Sequence, residues 1–418
     1  MLPVRAPPEN AATAAAVSLL TSEAVRTRAH RMLGVGLDGA LPHFRIELDR
    51  LDATVDLVLA VTRAAYPTLD VPFHSRWRHF VAGGEDRWTS LAAATNWPDR
   101  ASRARTAVDL AVVSVLLDAA AGPDWVYADP HTGRRIGRSE GLALASFDMF
   151  ARGAFSARPD EPLRADADTL ARLPYETLRR GFQVSDDNPL IGVDSRTDLL
   201  RRLGAVVTDA PHVFSQADDP RPGGLFDHIV EQARSGQIAA STILSLLLHH
   251  IGQVWPSRLT LGGIALGDCW RHPALTSADA TNGLMPLHKL SQWLTYSLIE
   301  PMQAAGIAVV DVDGLTGLAE YRNGGLFIDT GVFVLRRPEE AVRAHDVSST
   351  LVVEWRALTV ALLDRLAERL RQRIGRDANS LPLVKILQGG TWAAGRKVAS
   401  ERADGSSPLR VISDGTVF

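Results

Sequence analysis

The 418-residue chain has one cysteine, Cys269. A lone thiol cannot close an intrachain disulfide or build a Cys-rich metal site, and its scarcity fits a reducing, cytoplasmic compartment. Long apolar runs are also missing. A membrane-spanning helix needs roughly 20 consecutive apolar residues, and the longest stretches, such as AVDLAVVSVLLDAAA, carry aspartates and read as buried helices. The opening MLPVRAPPENAATAAAVSLL is broken by prolines and a Glu-Asn pair, unlike a secretory leader. Charge of one sign is lacking too: 45 Lys and Arg face 48 Asp and Glu, a net of −3. That excludes the distinctly basic surface of a duplex nucleic-acid binder. Paired metal-ligand spacings such as H-E-x-x-H do not occur. His249 and His250 are adjacent on a helix, so their side chains diverge by about 100° and do not share a local metal. No metal and no cofactor is expected.

What is present reads as a helical globular protein. The hydrophobic fraction is 46% and the charged fraction 22%, ordinary values for a folded domain. Apolar residues recur with helical spacing over 11–32, 50–65, 101–121, 139–152, 166–181, 195–203, 224–253, 286–304 and 339–374. Strand candidates are short: 306–312, 325–335 and the terminal LRVISDGTVF. The expectation is a mainly α chain forming one globular unit over 1–418, with room for two helical lobes and a ligand cleft between them. GVGLDG at 34–39 matches a dinucleotide fingerprint, but a helical stretch precedes it where a strand is required, so a helix stop is the better account. GTWAAGRK at 390–397 falls short of a phosphate-binding loop: its lysine is one place late and no Ser or Thr follows.

Four constellations carry possible chemistry. VPFHSRWRHF interleaves Arg76, Arg78 and His79 with aromatics, a mixture suited to stacking on a ring and holding an anion, or to arginines lying over an aromatic surface. In PLHKLSQWLTYSLIEP, Leu287, Leu290, Leu294 and Leu298 form an apolar stripe. Lys289, Gln292, Trp293 and Tyr296 make a second face that resembles a lined cavity more than a solvated surface. LTGLAEYRNGGLFIDTGV gathers Glu320, Tyr321 and Arg322 before Gly324-Gly325, which would allow a tight turn. The following LVVEWRALTVALLDRL adds Glu354 and Arg356, with a Glu354–Arg322 salt bridge as the purely structural alternative. LPLVKILQGGTWAAGRK supplies Lys385, a Gly-Gly pair, Trp392 and Arg396, either an anion-binding approach or a plain turn.

Together, PFHSRWRHF, DNPLIGVDSR, LAEYRNGGLFIDTGV, EWRALTVALLD and VKILQGGTWAAGR resemble the uracil-catabolism protein family of fungi and bacteria, the fourth protein of a pyrimidine-degrading route through a ribosylurea intermediate. The resemblance runs from about residue 15 to the end. A more distant likeness is to the queuosine 5′-phosphate N-glycosylase (queuosine salvage) proteins. Those carry a lysine in an aromatic-rich helix, then ADYR, then a helix opening EIRA; here Lys289, AEYR at 319–322 and EWRA at 354–357 follow in the same order. That likeness implies a helical fold similar to helix-hairpin-helix DNA glycosylases. It also implies Lys289 on a substrate phosphate and Glu320 as the catalytic carboxylate, with Glu where those relatives have Asp.

The implied reaction is hydrolysis of a ribosyl C1′–N bond in ribosylurea or its 5′-phosphate. Glu320 would stand beside the oxocarbenium-like sugar, with Tyr321 or Arg322 orienting it. Arg76, His79 or Gln292 would donate to the urea, and Lys289, helped by Arg356 or Lys385, would anchor the phosphate. The expected partner is a small ribosyl substrate, with no nucleic acid and no membrane. Another N-riboside such as UMP, or a non-catalytic role in holding the intermediate, remains open at this stage.

Overall fold

The computed structural model describes residues 11–215, 219–402 and 407–412. Within them the chain is mainly α, with strands of two or three residues. Side-chain caps set several helix starts: Thr21 accepts from the Ala24 amide, Asp99 from Ser102 and Ser349 from Val352. Each cap satisfies a backbone donor that the first turn leaves without a partner. The Thr350–Ile374 helix ends on Gly375 at φ +64°, a left-handed stop that glycine adopts without strain.

Several helices are shorter or more divided than periodicity suggests. The 224–253 stretch splits into Leu225–Gln232, the strand Gln237–Ala239 and Ala240–His250; that strand pairs in parallel with Ala308–Val310, inside the expected 306–312 strand. The 339–374 stretch is α-helical only from Thr350: a 3-10 turn over Pro338–Ala341 comes first, and Ala344–Asp346 pairs in parallel with Arg410–Ile412. The rest of the terminal strand candidate, 413–418, lies outside the described residues, as do residues 1–10 of the opening segment.

The largest correction falls on 325–335. Residues Tyr321–Asp329 form a helix, and only Phe333–Leu335 is a strand, antiparallel to Phe44–Ile46. Gly324-Gly325 therefore sits inside a helix instead of making a tight turn. A Cβ on Gly324 would lie 2.6 Å from Trp355 Nε1, so the glycine lets this helix seat directly on Thr350–Ile374.

One apolar cluster runs from Leu20 to Leu409. The expected stripe Leu287, Leu290, Leu294 and Leu298 is buried, and so are Leu351, Trp355, Leu358, Leu362 and Leu366, which recur at helical spacing. The Thr350–Ile374 helix packs on Ser22–Leu37 and Leu51–Ala65, and every residue from Leu351 to Leu363 is buried, so its first half is the axis of the fold. Among the described residues no helix is long and apolar enough to cross a membrane.

Helix Trp392–Ser400 packs against Tyr321–Asp329 through Gly395, where a Cβ would come within 2.3 Å of the Arg322 carbonyl oxygen. Backbone cannot retreat as a side chain can. Gly395→Ala should destabilise the protein by about 1–3 kcal/mol, the usual cost of overpacking; denaturant unfolding with an unchanged midpoint would show that the two helices are not held at this distance.

Candidate active site

The site is organised around an aspartate that the sequence does not advertise. Asp268 precedes the strand Cys269–Arg271, which pairs antiparallel with Leu284–Pro286. Its backbone oxygen accepts from the amides of Leu287 (2.9 Å) and His288 (3.2 Å). Its carboxylate accepts from the Lys289 amide (3.0 Å), the Trp270 indole (2.6 Å) and both Nη atoms of Arg356, each at 2.8 Å. Burial pushes the Asp268 carboxyl up, but the Arg356 guanidinium and these donors outweigh it and hold the pKa down at about 2. The Lys289–Ala304 helix thus starts from a fixed anion, and His288 just before it is forced to φ +47°.

Arg356 also donates through Nε to the Ala319 carbonyl (3.3 Å), one residue before Glu320. Glu320 is the N-cap of Tyr321–Asp329, its carboxylate accepting from the Arg322 amide at 2.8 Å and from the Asn323 amide. Burial raises the Glu320 pKa, against the pull of those amides and of Lys289. Burial and the neighbouring Arg356 lower the Lys289 pKa, against the attraction of Glu320, Asp268 and Asp118. Lys289 and Glu320 therefore form an electrostatic pair across two helix starts. Arg322 lies over the Tyr321 ring, 4.8 Å from its centre, and Tyr321 is 37% exposed at the rim.

One turn beyond Lys289, Trp293 connects this pair to a second cluster. Its ring stacks with His74 at 6.2 Å and packs on His79 at 5.6 Å, and the Arg76 guanidinium stands 5.5 Å from its centre. Trp392 covers both histidines from the other side, at 6.0 and 6.3 Å, and carries Arg396 on its face at 4.8 Å. Arg396 is held by Glu140 at 2.9 Å. Arg76 is wholly buried and bonds Ser114 Oγ (2.7 Å), the Ser139 carbonyl (3.1 Å) and Asp118 (3.1 Å). Ser139 Oγ is 2.7 Å from both Asp118 oxygens, and Arg138 before it is held at φ +57°. Burial, then the charge of Arg76, drives the His79 pKa down to about 4, so the ring is neutral at pH 7. A cation facing a carboxylate beside a cluster of aromatic and polar side chains can bind an anion-bearing, polar ligand and stabilise positive charge next to it.

A family profile described as "Protein of unknown function (DUF1688)" matches residues 18–418. "Protein urg3" of Schizosaccharomyces pombe is 36% identical over 419 residues, covering 97% of this chain and all of the relative. "Uracil catabolism protein 4" of Lachancea kluyveri is 34% identical over 414 residues, covering 91% of this chain and 93% of the relative. The chain belongs to the DUF1688 family.

In this DUF1688 protein the sequence candidates divide. Lys289, Glu320, Tyr321, Arg322, Arg356, Arg76, His79 and Trp392 fall in the two connected clusters. Gln292 does not offer its amide to a ligand: Nε2 donates to Leu287 O and Thr316 Oγ1, Oε1 accepts from the Thr316 amide, and Tyr296 donates to the Thr316 carbonyl. Both side chains pin the loop that leads to Glu320. Glu354 pairs with His272 (3.4 Å) and accepts from the Phe44 amide (2.8 Å), so its partner is not Arg322. Lys385 stands over Phe73, 5.8 Å from the ring centre, and Gly389-Gly390 lies in a π-helical turn, Leu387–Thr391, packed on Leu51–Ala65. Asp118, Ser139 and Asp268 escaped sequence reasoning; the aspartate ending an apolar helix run was the one available signal for Asp118. A separate cavity of about 490 Å³ opens beside Trp77, Arg78, Trp88, Arg103 and Glu300. Arg78 there is already paired with Glu300 at 2.6 Å.

Asp268→Asn should cost roughly 3–5 kcal/mol, because Arg356 would be left buried without its charge. A carboxyl whose folded pKa is depressed stabilises the protein above its unfolded value near 4 and loses that contribution as pH falls toward 2. Acid unfolding of the wild type should therefore steepen between about pH 4 and 2, and the variant should lack that component. Superimposable acid profiles would remove Asp268 from its organising role.

Proposed function

We propose that this protein is an N-glycosidase of uracil catabolism, hydrolysing the ribosyl C1′–N bond of ribosylurea or its 5′-phosphate. The name of the L. kluyveri relative, a uracil catabolism protein, supports the pathway. The observation that carries the chemistry is the Glu320 carboxylate, fixed by the Arg322 and Asn323 amides and attracted by the charge of Lys289. Lys289 and the start of its helix bind the phosphate, remote from the reacting bond, and that binding energy sets the sugar against Glu320. As the C1′–N bond breaks, its electron pair leaves with urea and positive charge grows on the sugar, beside the carboxylate. Water adds to C1′; Glu320 takes one water proton and returns it to the urea nitrogen. The sum is ribosylurea plus water giving ribose and urea, with the 5′-phosphate unchanged where present. Tyr321 and Arg322 border the sugar at the rim.

Purified protein incubated with ribosylurea 5-phosphate should release urea, measurable by a coupled urease assay. Release of uracil from UMP instead would move the activity to intact nucleotides, and tight binding without turnover of either would make the protein a carrier. Glu320→Gln should abolish turnover while binding persists, and Lys289→Ala should chiefly raise KM for the phosphorylated substrate.

The pH profile follows from the two shifts. Glu320 must be ionised and its pKa is raised, so kcat/KM should fall on acidification with an inflection above the ordinary glutamate value of about 4.3. Lys289 must be charged and its pKa is lowered, so the alkaline limb should lie below the ordinary lysine value of about 10.4. A flat acid limb down to pH 4 would contradict the role of Glu320.

A further inference from the structure

Two buried donors in the second cluster have no hydrogen-bond partner. Arg76 spends Nε and Nη1 on Ser114, Ser139 and Asp118, but its Nη2 is sealed from solvent and unpaired. The Trp293 indole Nε1 is equally buried and unpaired. Four other buried indoles find acceptors: Trp77 bonds Ser297 O, Trp125 bonds Phe182 O, Trp255 bonds Ser291 Oγ and Trp270 bonds Asp268. An orphaned buried N–H is costly and rare, and its persistence asks for a ligand atom. The His79 ring stands beside both, its Nδ1 3.3 Å from Arg76 Nη1 and 3.2 Å from Ser139 Oγ, and its centre 5.6 Å from that of Trp293.

The acceptor beside these donors is Asp118. It receives the Ser139 hydroxyl and Arg76 Nη1, which leaves part of its lone-pair capacity unused. Arg76 and Asp118 cancel in charge, so a phosphate or carboxylate would gain little there while meeting the aspartate. A neutral, planar O=C–N–H edge satisfies every group: its oxygen accepts, its N–H donates, and its faces meet Trp293 and Trp392.

We infer that the Arg76–His79–Asp118–Trp293 cluster binds an acyclic ureido group through its oxygen and its free N–H. This rests on the N-glycosidase reading and assigns its leaving-group end. Donors on the urea oxygen draw charge away from the nitrogen as the C1′–N bond opens, which makes urea a better leaving group. Trp293 and Lys289, one helical turn apart, would then measure the distance between ureide and phosphate.

Trp293→Phe removes only the N–H and keeps an aromatic ring. Calorimetric titration with N-methylurea, ribose 5-phosphate and uracil tests it. The variant should bind N-methylurea about tenfold more weakly, a hydrogen bond's worth, and ribose 5-phosphate within twofold of wild type, which also certifies its fold. Unchanged N-methylurea affinity overturns the inference, and so does tighter, Trp293-dependent binding of uracil. If N-methylurea binds through Trp293 but no urea is released from ribosylurea 5-phosphate, the reaction reading fails and the ureido site stands. If urea is released and Trp293→Phe changes neither KM nor N-methylurea affinity, the reverse holds.

Discussion

The Asp268–Arg356 pair is the constraint from which the rest of the site hangs. Two charges withdrawn from water lose several kcal/mol of hydration each, and only near-ideal geometry with further hydrogen bonds offsets that loss. Here the geometry is bidentate, and the remaining acceptor capacity of Asp268 goes to the Trp270 indole and the Lys289 amide. The pair's value lies in what it positions. Asp268 fixes where the Lys289–Ala304 helix begins, and Arg356 fixes the carbonyl of Ala319, hence the entry to Glu320. One ion pair on the central helix thereby sets the spacing of Lys289 and Glu320, which belong to different helices 31 positions apart in the sequence.

Strain marks the same region. His288 before Lys289 and Arg138 before Ser139 both have left-handed backbone, at φ +47° and +57°, and neither is glycine. Such conformations cost of order 1–3 kcal/mol each and persist where the surroundings over-determine them. At both places the strained residue turns the chain into a helix whose first residues face the site. Three helix starts, at Arg138, Lys289 and Tyr321, bring their positive dipole ends to one region, which favours negative charge there. Glu320 already exploits this as a cap, and a substrate phosphate near Lys289 would do the same.

Legibility in the sequence followed the range of the interaction. Apolar stripes on 289–304 and 350–374 were visible because helical periodicity is local. Strand Phe333–Leu335 was overextended because GLFID is apolar enough for either state, and Glu320 as a cap decides for helix. Asp268 was invisible because its partner Arg356 lies 88 residues away and GDCWRH carries no periodic or motif signal. Glu354 was misassigned for the same reason: its partners, Phe44 and His272, lie far from it in the chain and from each other. One signal was available and unused. Only three of the 45 basic residues are lysines, so a lysine on an aromatic helix face stands apart from the arginine-rich background.

That Glu320 is a glutamate is itself informative. Ser, Thr, Asp and Asn are the preferred N-caps because their short side chains reach the first free amides directly. A glutamate must fold its extra methylene back to make the same bonds, so capping alone does not account for its choice. Each carboxylate oxygen accepts one backbone N–H, from Arg322 and Asn323, and each keeps a lone pair unspent. The backbone bonds lock the carboxylate, and burial weakens its hydration. A charge held in that way needs no reorganisation when a cation forms beside it, and preorganisation of this kind is the largest electrostatic contribution an active site can make. Under the proposed reaction, the longer side chain of Glu320 gives it a reach toward the sugar that capping alone does not require.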